Sequence, residues 1–494
     1  MPLLGLVLAL TLAPAWEITN PALHGEIEGF ASKTSVNHGE PIDLFINTTA
    51  ARYTIDVFRM GWYDGAGARR YAGPIERTGV VQPPPVVDAQ TGLIECRWND
   101  PVRIDTTSWP TGIYLARLTT SDGRQSSIVF VVRDDERAAP IVFQSSVTTF
   151  AAYNNWGGKS LYAFNSNGAP ARKVSFDRPY ATNPYGVRLD GAGDFLRRWE
   201  YNAVRFLERE GYDVKYVTDV DTHERDVNGK VLLSVGHDEY WSWQMRSRLE
   251  AARDRGVSLM FLGADAGYWQ IRFEQSDRTI VAYKEVAGEQ DPLAIDGDPR
   301  NDRYVTGRFR DRPVSRPEER LVGVMYAADP VDADIVITNP SHWAFAETGL
   351  RSGDALKGLL GYEVDAIYGD ASPPHLERLA HSPFTDQGRT RYSDMTMYEA
   401  PSGALVFATG SMQWNWGLDD YNAPAWHPSR VDARAQQVMR NVLNRMLTVT
   451  PRPIHSSGRD AMPSTIVIVA AIGALAYVLI SWIYDRRSRP VRRS

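Results

Sequence analysis

The segment VLLSVGHDEYWSWQMRSRLEAARDRGVSLMFL, residues 231–262, carries the strongest structural signal in the chain. Val231 to Val235 reads as a buried strand, and Gly236-His237-Asp238-Glu239 as the turn that ends it. A helix opens at Ser242 with Met245, Leu249 and Ala252 on one face, Gly256 stops it, and Val257 to Leu262 is a second strand. The same alternation extends towards the N-terminus. Ile141-Val142-Phe143 opens a strand leading to Tyr153, Trp199 to Glu210 has helical periodicity, and Val214 to Val217 is a strand that stops at Thr218-Asp219. Strand, helix, strand, helix, strand predicts a parallel α/β sheet. Residues 270–450 mix apparent strands, such as Asp334 to Ile337 and Leu405 to Phe407, with long polar loops, and a last helix at Val431 to Leu447 packs on the sheet.

Before this region the period changes. From Gly25 to Val132, short alternating runs (Pro41 to Ile46, Tyr53 to Phe58, Gly112 to Leu118, Ser127 to Val132) are separated by Gly, Pro, Asn and Asp. That pattern predicts a β-sandwich of immunoglobulin-like kind, with each strand burying one face. The expected fold is therefore an all-β sandwich at 17–135 followed by an α/β domain at 138–450, the latter a parallel sheet of Rossmann-like or glutamine-amidotransferase-like type.

The two ends read as targeting segments. Leu3 to Leu12 followed by Ala13-Pro14-Ala15 has the form of a signal peptide spanning residues 1–15, cleaved after Ala15. Ile466 to Tyr484 carries no charge, ends in Trp482 and Tyr484, and is followed by five arginines, so 464–484 predicts a transmembrane helix. A Pro- and Ser-containing stalk at 451–463 and a basic cytoplasmic tail at 485–494 flank it. The expectation is a single-pass protein of the cell membrane, its ectodomain outside the cytoplasm and its C-terminus in the cytoplasm.

Between the ends the composition is that of an ordinary globular protein, 43% hydrophobic with a net charge of -6. No basic groove with interleaved aromatics is present, which argues against nucleic acid as a partner. Cys96 is the sole cysteine, which excludes an intrachain disulfide and any Cys-rich metal site.

Ligands of parallel sheets collect at the carboxyl ends of the strands. Those ends carry Tyr153 to Ser160, Asp219 and Asp221, His237 to Trp241, and Gly263 to Gly267. The third group places a histidine, two carboxylates and a phenol within four residues, and these are not buried without partners. A metal ion is one such partner, with imidazole as neighbouring base. The simpler alternative is a helix cap, with Asp238 or Ser242 accepting backbone N–H groups and His237 and Glu239 solvated on the rim. The Gly263 to Gly267 turn has the form of a nucleophile elbow without Ser or Cys, and no G-x-S-x-G, H-E-x-x-H or P-loop pattern occurs.

Taken in order, YNNWGGKSLY (153–162), VSFDRPY (174–180), the run from Trp199 to Asp221, VGHDEYWS (235–242), MFLGADAGYW (260–269) and GSMQWNWGLDD (410–420) resemble the large subunit of N,N-dimethylformamidase over residues 140–450. FRMGWYDG (58–65) in the sandwich resembles what precedes that domain in its relatives. The resemblance implies a mononuclear ferric iron held by two tyrosines and a glutamate, with a neighbouring histidine, used to hydrolyse a small amide. Glu239 and His237 match the glutamate and the histidine, and Tyr153 matches the first tyrosine. Tyr201 is assigned as the second, with Tyr162 and Tyr180 as alternatives. The implied function is a metal-dependent hydrolase of a carbon–nitrogen bond acting on a small-molecule or envelope-derived substrate. The competing reading is a non-catalytic surface module that binds carbohydrate or a partner protein through Trp156, Trp241, Trp414 and Trp416.

Overall fold

In the computed structural model, residues 14–182, 190–196, 199–423, 425 and 427–452 are described. They belong to one compact unit ending at Arg452. At its centre lies a seven-stranded sheet. Its strands are β1 (Ile141–Ser145), β2 (Val214–Thr218), β3 (Val231–His237), β4 (Ser258–Ala264), β5 (Glu377–Asp386), β6 (Arg389–Glu399) and β7 (Leu405–Ala408), in the order β2-β1-β3-β4-β7-β6-β5. The first five strands in that order run parallel, and β6 and β5 continue the sheet antiparallel. Helices α1 (Val147–Tyr153), α2 (Glu200–Arg209), α3 (Asp219–Glu224), α4 (Trp243–Asp254) and α5 (Ala433–Leu447) accompany it. α5 buries Val438, Met439, Val442, Leu443 and Met446, the 3.6-residue stripe that its sequence shows.

Ahead of this sheet, strands Ile27–Ala31, Ile42–Thr48 and Val102–Ile104 face a five-stranded sheet built on Arg52–Met60, Gly112–Thr120 and Gln125–Arg133. Leu44, Ile46, Ile55, Val57, Leu118 and Phe130 fill the space between them. The outer face of the five-stranded sheet is not solvated. Phe58, Met60, Ile113, Leu115 and Val131 share a core with Ile141 and Phe143 of β1. Arg133, close to the expected boundary between 17–135 and 138–450, is buried and ion-paired with Asp135 and Asp221.

This architecture corrects the expected Rossmann-like, glutamine-amidotransferase-like parallel α/β domain. Strand residues outnumber helical ones, the central sheet is mixed, and only three helices of ten residues or more occur among the described residues. The reason lies in residues 270–400. They supply the long antiparallel pair Met325–Val336 and Ala355–Ala366, the β5–β6 pair, and part of a four-stranded sheet with Lys173–Ser175 and Tyr240–Ser242, where a parallel fold needs crossover helices.

No helix among the described residues is long and apolar enough to cross a membrane. A span takes about 20 apolar residues, whereas α5, the longest described helix, has 15 and a polar face. This corrects the expectation of a single-pass membrane protein with a membrane partner and a cytoplasmic tail. The stretch 464–484 on which that expectation rested lies outside the described residues, as do 453–463, 485–494 and residues 1–13 of the expected signal peptide.

Candidate functional site

The turn after β3 is shaped by two glycines. Gly236 has a positive φ of 72°, and a Cβ there would lie 2.3 Å from the Cβ of Trp199. Gly263 on β4 lies so close that an added Cβ would sit 1.9 Å from the Gly236 carbonyl oxygen. That neighbour is backbone and cannot rotate away. Gly263→Ala is therefore expected to lower the free energy of unfolding by about 3 kcal/mol or more, above the usual range for overpacking; a denaturation midpoint equal to that of the wild type would contradict the close approach.

The helix-cap reading divides between two residues. Ser242 caps α4, its Oγ accepting from Met245 N at 3.0 Å. Asp238 instead pins the turn: its carboxylate accepts from Gln144 Nε2 (2.8 Å), Ser234 Oγ (2.7 Å) and Trp241 Nε1 (2.8 Å). His237 and Glu239, on either side of it, are buried rather than solvated on a rim.

Glu239 is the hub. Its Oε2 accepts from Tyr153 Oη at 2.9 Å and its Oε1 from Tyr162 Oη at 2.7 Å, while Tyr240 Oη donates to Tyr162 Oη at 2.6 Å. The Tyr153 and Tyr162 rings stack 4.4 Å apart, partly buried, with their hydroxyls turned towards the buried carboxylate. His237 Nε2 lies 3.0 Å from Glu239 Oε2 and 3.7 Å from Glu363 Oε1. Its N–H points at neither oxygen, so the nitrogen has no hydrogen bond. Asp265, in the left-handed region at φ 58°, brings a carboxylate into the same space; one oxygen or nitrogen each of His237, Glu239 and Asp265 lies within 4.8 Å of the others. Asp265 Oδ1 and Glu363 Oε2 are likewise buried without hydrogen bonds. The Lys284 ammonium sits over the Tyr162 ring, 3.3 Å from its centroid, with Trp269 and Tyr240 around it.

These groups perturb one another. Burial, reinforced by the charge of Glu239, pushes the Tyr153 and Tyr162 phenols well above their ordinary range. Burial works against ionisation of Glu239, but the close approach and charge of His237 and the charge of Lys284 hold it below the usual carboxylate range. Burial likewise opposes the charged form of His237, yet Glu363 and Glu239 raise it to about 9. Glu363 is pushed up to about 8 by burial, partly offset by His237. Lys284 is lowered to about 8 by burial, against the charge of Glu239. Opposed shifts of this kind concentrate where protons are exchanged.

The fit to a metal is tested by the donor set itself. Two phenols and a carboxylate converge as hard oxygen ligands suited to a ferric ion. Three buried polar atoms around them, His237 Nε2, Asp265 Oδ1 and Glu363 Oε2, have no hydrogen-bond partner among the described residues. The residues present therefore fit such an ion.

The structure brings together Tyr153, His237 and Glu239, but not Tyr201. That residue is buried on α2, its hydroxyl donating to Gly67 O at 2.5 Å and its ring packed against Trp16 and Tyr421. Tyr162, not Tyr201, lies beside Tyr153 and Glu239, and Tyr180 makes an edge contact with Phe150. Lys284 and Glu363 were not foreseen; the signal for Glu363 was a carboxylate inside the apolar run LLGYEVDA. The tryptophans of the binding-module reading offer no exposed platform: Trp241, Trp414 and Trp416 are buried, and Trp156 is partly buried with its Nε1 donating to Glu28.

A family described as N,N-dimethylformamidase beta subunit-like, C-terminal, matches residues 54–427. The N,N-dimethylformamidase beta subunit of Paracoccus aminophilus is 24% identical over 345 residues, covering 60% of this chain and 43% of that protein. The beta subunit from an Alcaligenes species is 23% identical over 355 residues, with the same coverages. The chain thus spans less than half the length of these relatives. Among solved structures, an IFT52 N-terminal domain aligns with 50% of this chain and 89% of its own at 11% identity and a TM-score of 0.27. Murine CEACAM1b aligns with 24% of this chain and 62% of its own at 12% identity and a TM-score of 0.13. Neither likeness is close enough to bear on the fold.

Proposed function

We propose, from the premise that this chain belongs to the N,N-dimethylformamidase beta subunit-like, C-terminal family, that it is a metal-dependent hydrolase of an amide-type carbon–nitrogen bond. The observation that carries the reading is the pair of phenols, Tyr153 and Tyr162, donating to the two oxygens of one buried carboxylate, Glu239. Tyr153, Tyr162 and Glu239 would hold the ion, which the donor chemistry suggests is ferric iron. When bound, it supplies Lewis acidity towards an acyl oxygen and lowers the pKa of water.

The remaining steps belong to the protein. His237 Nε2, placed between Glu239 and Glu363, carries a proton and gives it to the departing nitrogen. The acyl carbon gains the water oxygen, the carbon–nitrogen bond breaks, and the amine leaves with the proton. Glu363 takes the proton of the attacking water at its unbonded Oε2 and returns it to the imidazole once the amine has left. The Lys284 ammonium favours the ionised form of the Tyr162 oxygen and offers its N–H groups to the developing negative charge on the acyl oxygen.

N,N-dimethylformamide and related small amides are the first substrates to try, because the named relatives act on that compound. Amine release by the iron-loaded chain, lost in Glu239→Ala, is the expected result. Absence of release across formamides, acetamides and N-acyl amino acids, with iron bound, would overturn the hydrolase reading.

A further inference from the structure

Helix α1 delivers Tyr153 from its last turn, yet it has no cap of its own. Ser146 occupies the capping position without a side-chain hydrogen bond to the helix, and its Oγ is buried with no partner. Two carboxylates from distant parts of the chain take over. Glu200 Oε1 accepts from Ser146 N at 2.8 Å and its Oε2 from Ser145 Oγ at 2.7 Å. Asp219 Oδ2 accepts from Thr148 N at 3.0 Å and is also hydrogen-bonded by the Thr148 hydroxyl. Each is the first residue of another helix, Glu200 of α2 and Asp219 of α3, so three helix N-termini converge on these two side chains.

Both groups are costly. Glu200 and Asp219 are 2% and 0% exposed, and neither has an ion-pair partner among the described residues. Burial pushes Glu200 up to about 8 and raises Asp219 well above the ordinary carboxylate range. Buried, unpaired carboxylates are retained where their geometry is needed.

The same turn of α1 reaches the other side of the site. Thr149 Oγ1 accepts from Glu239 N at 3.0 Å, and the Thr148 hydroxyl lies 2.8 Å from the Tyr240 carbonyl oxygen. The seven-residue helix therefore presents Tyr153 at one end and fixes the backbone of Glu239 from the other. A tilt at its N-terminus moves both oxygen donors relative to each other.

We propose that Glu200 and Asp219 are positioning residues, which set the pose of α1 and with it the Tyr153–Glu239 geometry. This rests on the reading of those two residues as ligands. The test compares Glu200→Ala, Asp219→Ala, Glu200→Gln, Asp219→Asn and Thr149→Val in the full chain. Iron affinity is measured by chelator competition, and amide hydrogen exchange of residues 146–154 and of Glu239 is measured on metal-free protein. The alanine variants should lose about 10- to 100-fold in iron affinity, as supporting residues of metal ligands do, with faster exchange in α1 and at Glu239. Glu200→Gln and Asp219→Asn should stay within a few-fold of wild type, because an amide oxygen still accepts from Ser146 N or Thr148 N.

Alanine variants with wild-type affinity and wild-type exchange would overturn the proposal. Should those variants fail to fold, Thr149→Val, which removes only the tether to Glu239, must still weaken iron binding; unchanged affinity there overturns it equally. Wild-type protein that takes no iron would sink the ligand reading alone. Exchange at Glu239 in Glu200→Ala would then decide the positioning role, unchanged exchange ending it.

Discussion

Replacing Glu239 by alanine should reduce bound iron to background and turnover by about 10²- to 10³-fold or more, the range found when a preorganised charge in an active site is removed. Among the described residues Glu239 is the only carboxylate hydrogen-bonded by both phenols, so its loss removes that acceptor from Tyr153 Oη and Tyr162 Oη and the nearest charge from His237. Unsatisfied buried polar groups cost about 1–3 kcal/mol each, so a fall in unfolding free energy is expected alongside the loss of metal. Glu239→Gln separates the two effects. It keeps the volume and an acceptor for one phenol, so stability should recover more than iron does. Mass spectrometry of metal content, denaturation midpoints and amine release, measured on the same preparations, give the comparison. An alanine variant that retains stoichiometric iron would remove Glu239 from the centre.

His237→Ala and Glu363→Gln should behave differently, keeping iron while kcat falls by about 10²- to 10⁴-fold, the usual contribution of a positioned acid or base. The reasoning is geometric. His237 Nε2 lies between two carboxylates without a hydrogen bond to either, and Glu363 Oε2 has none among the described residues, so each keeps a position for proton exchange that the folded protein does not use. The amide form of Glu363 preserves shape but neither gains nor loses a proton. A Glu363→Gln variant with wild-type kcat would confine that residue to packing, and loss of iron in His237→Ala would make His237 part of the ligand set.

The segment 231–262 was legible because period and punctuation agree there: the strand, the helix after Ser242 and the next strand occur as Val231–His237, Trp243–Asp254 and Ser258–Ala264. The sandwich strands were legible for the same reason, their apolar residues alternating with solvated ones, as in Ile42–Thr48. Residues 325–399 were not. In the Met325–Val336 and Ala355–Ala366 pair the register shifts at three places, between Tyr326 and Ala328, Ala328 and Val331, and Ala333 and Ile335. Each shift breaks the two-residue alternation on which a strand reading depends, and the extrapolated parallel sheet failed there.

At the site, His237, Glu239 and Tyr153 could be placed from motif and strand end. Tyr162, which joins them, could not be singled out, because it follows the irregular loop after α1, where spacing carries no periodicity, whereas Tyr201 lies on a regular helix and is turned towards Gly67. Asp265 stood in plain view in Gly263 to Gly267, but that turn drew attention only for lacking a nucleophile. Lys284 and Glu363 enter from elements that sequence alone does not bring near β3.

Iron content and the visible spectrum of the purified chain, with Tyr162→Phe and Tyr201→Phe beside it, test the central claim most directly. The account predicts near-stoichiometric iron and a tyrosinate-to-iron charge-transfer band that is lost or strongly shifted in Tyr162→Phe and unchanged in Tyr201→Phe. A folded, colourless wild-type protein that takes up no iron when supplied with it would contradict the metal centre, and a band that survives Tyr162→Phe but vanishes in Tyr201→Phe would contradict its geometry.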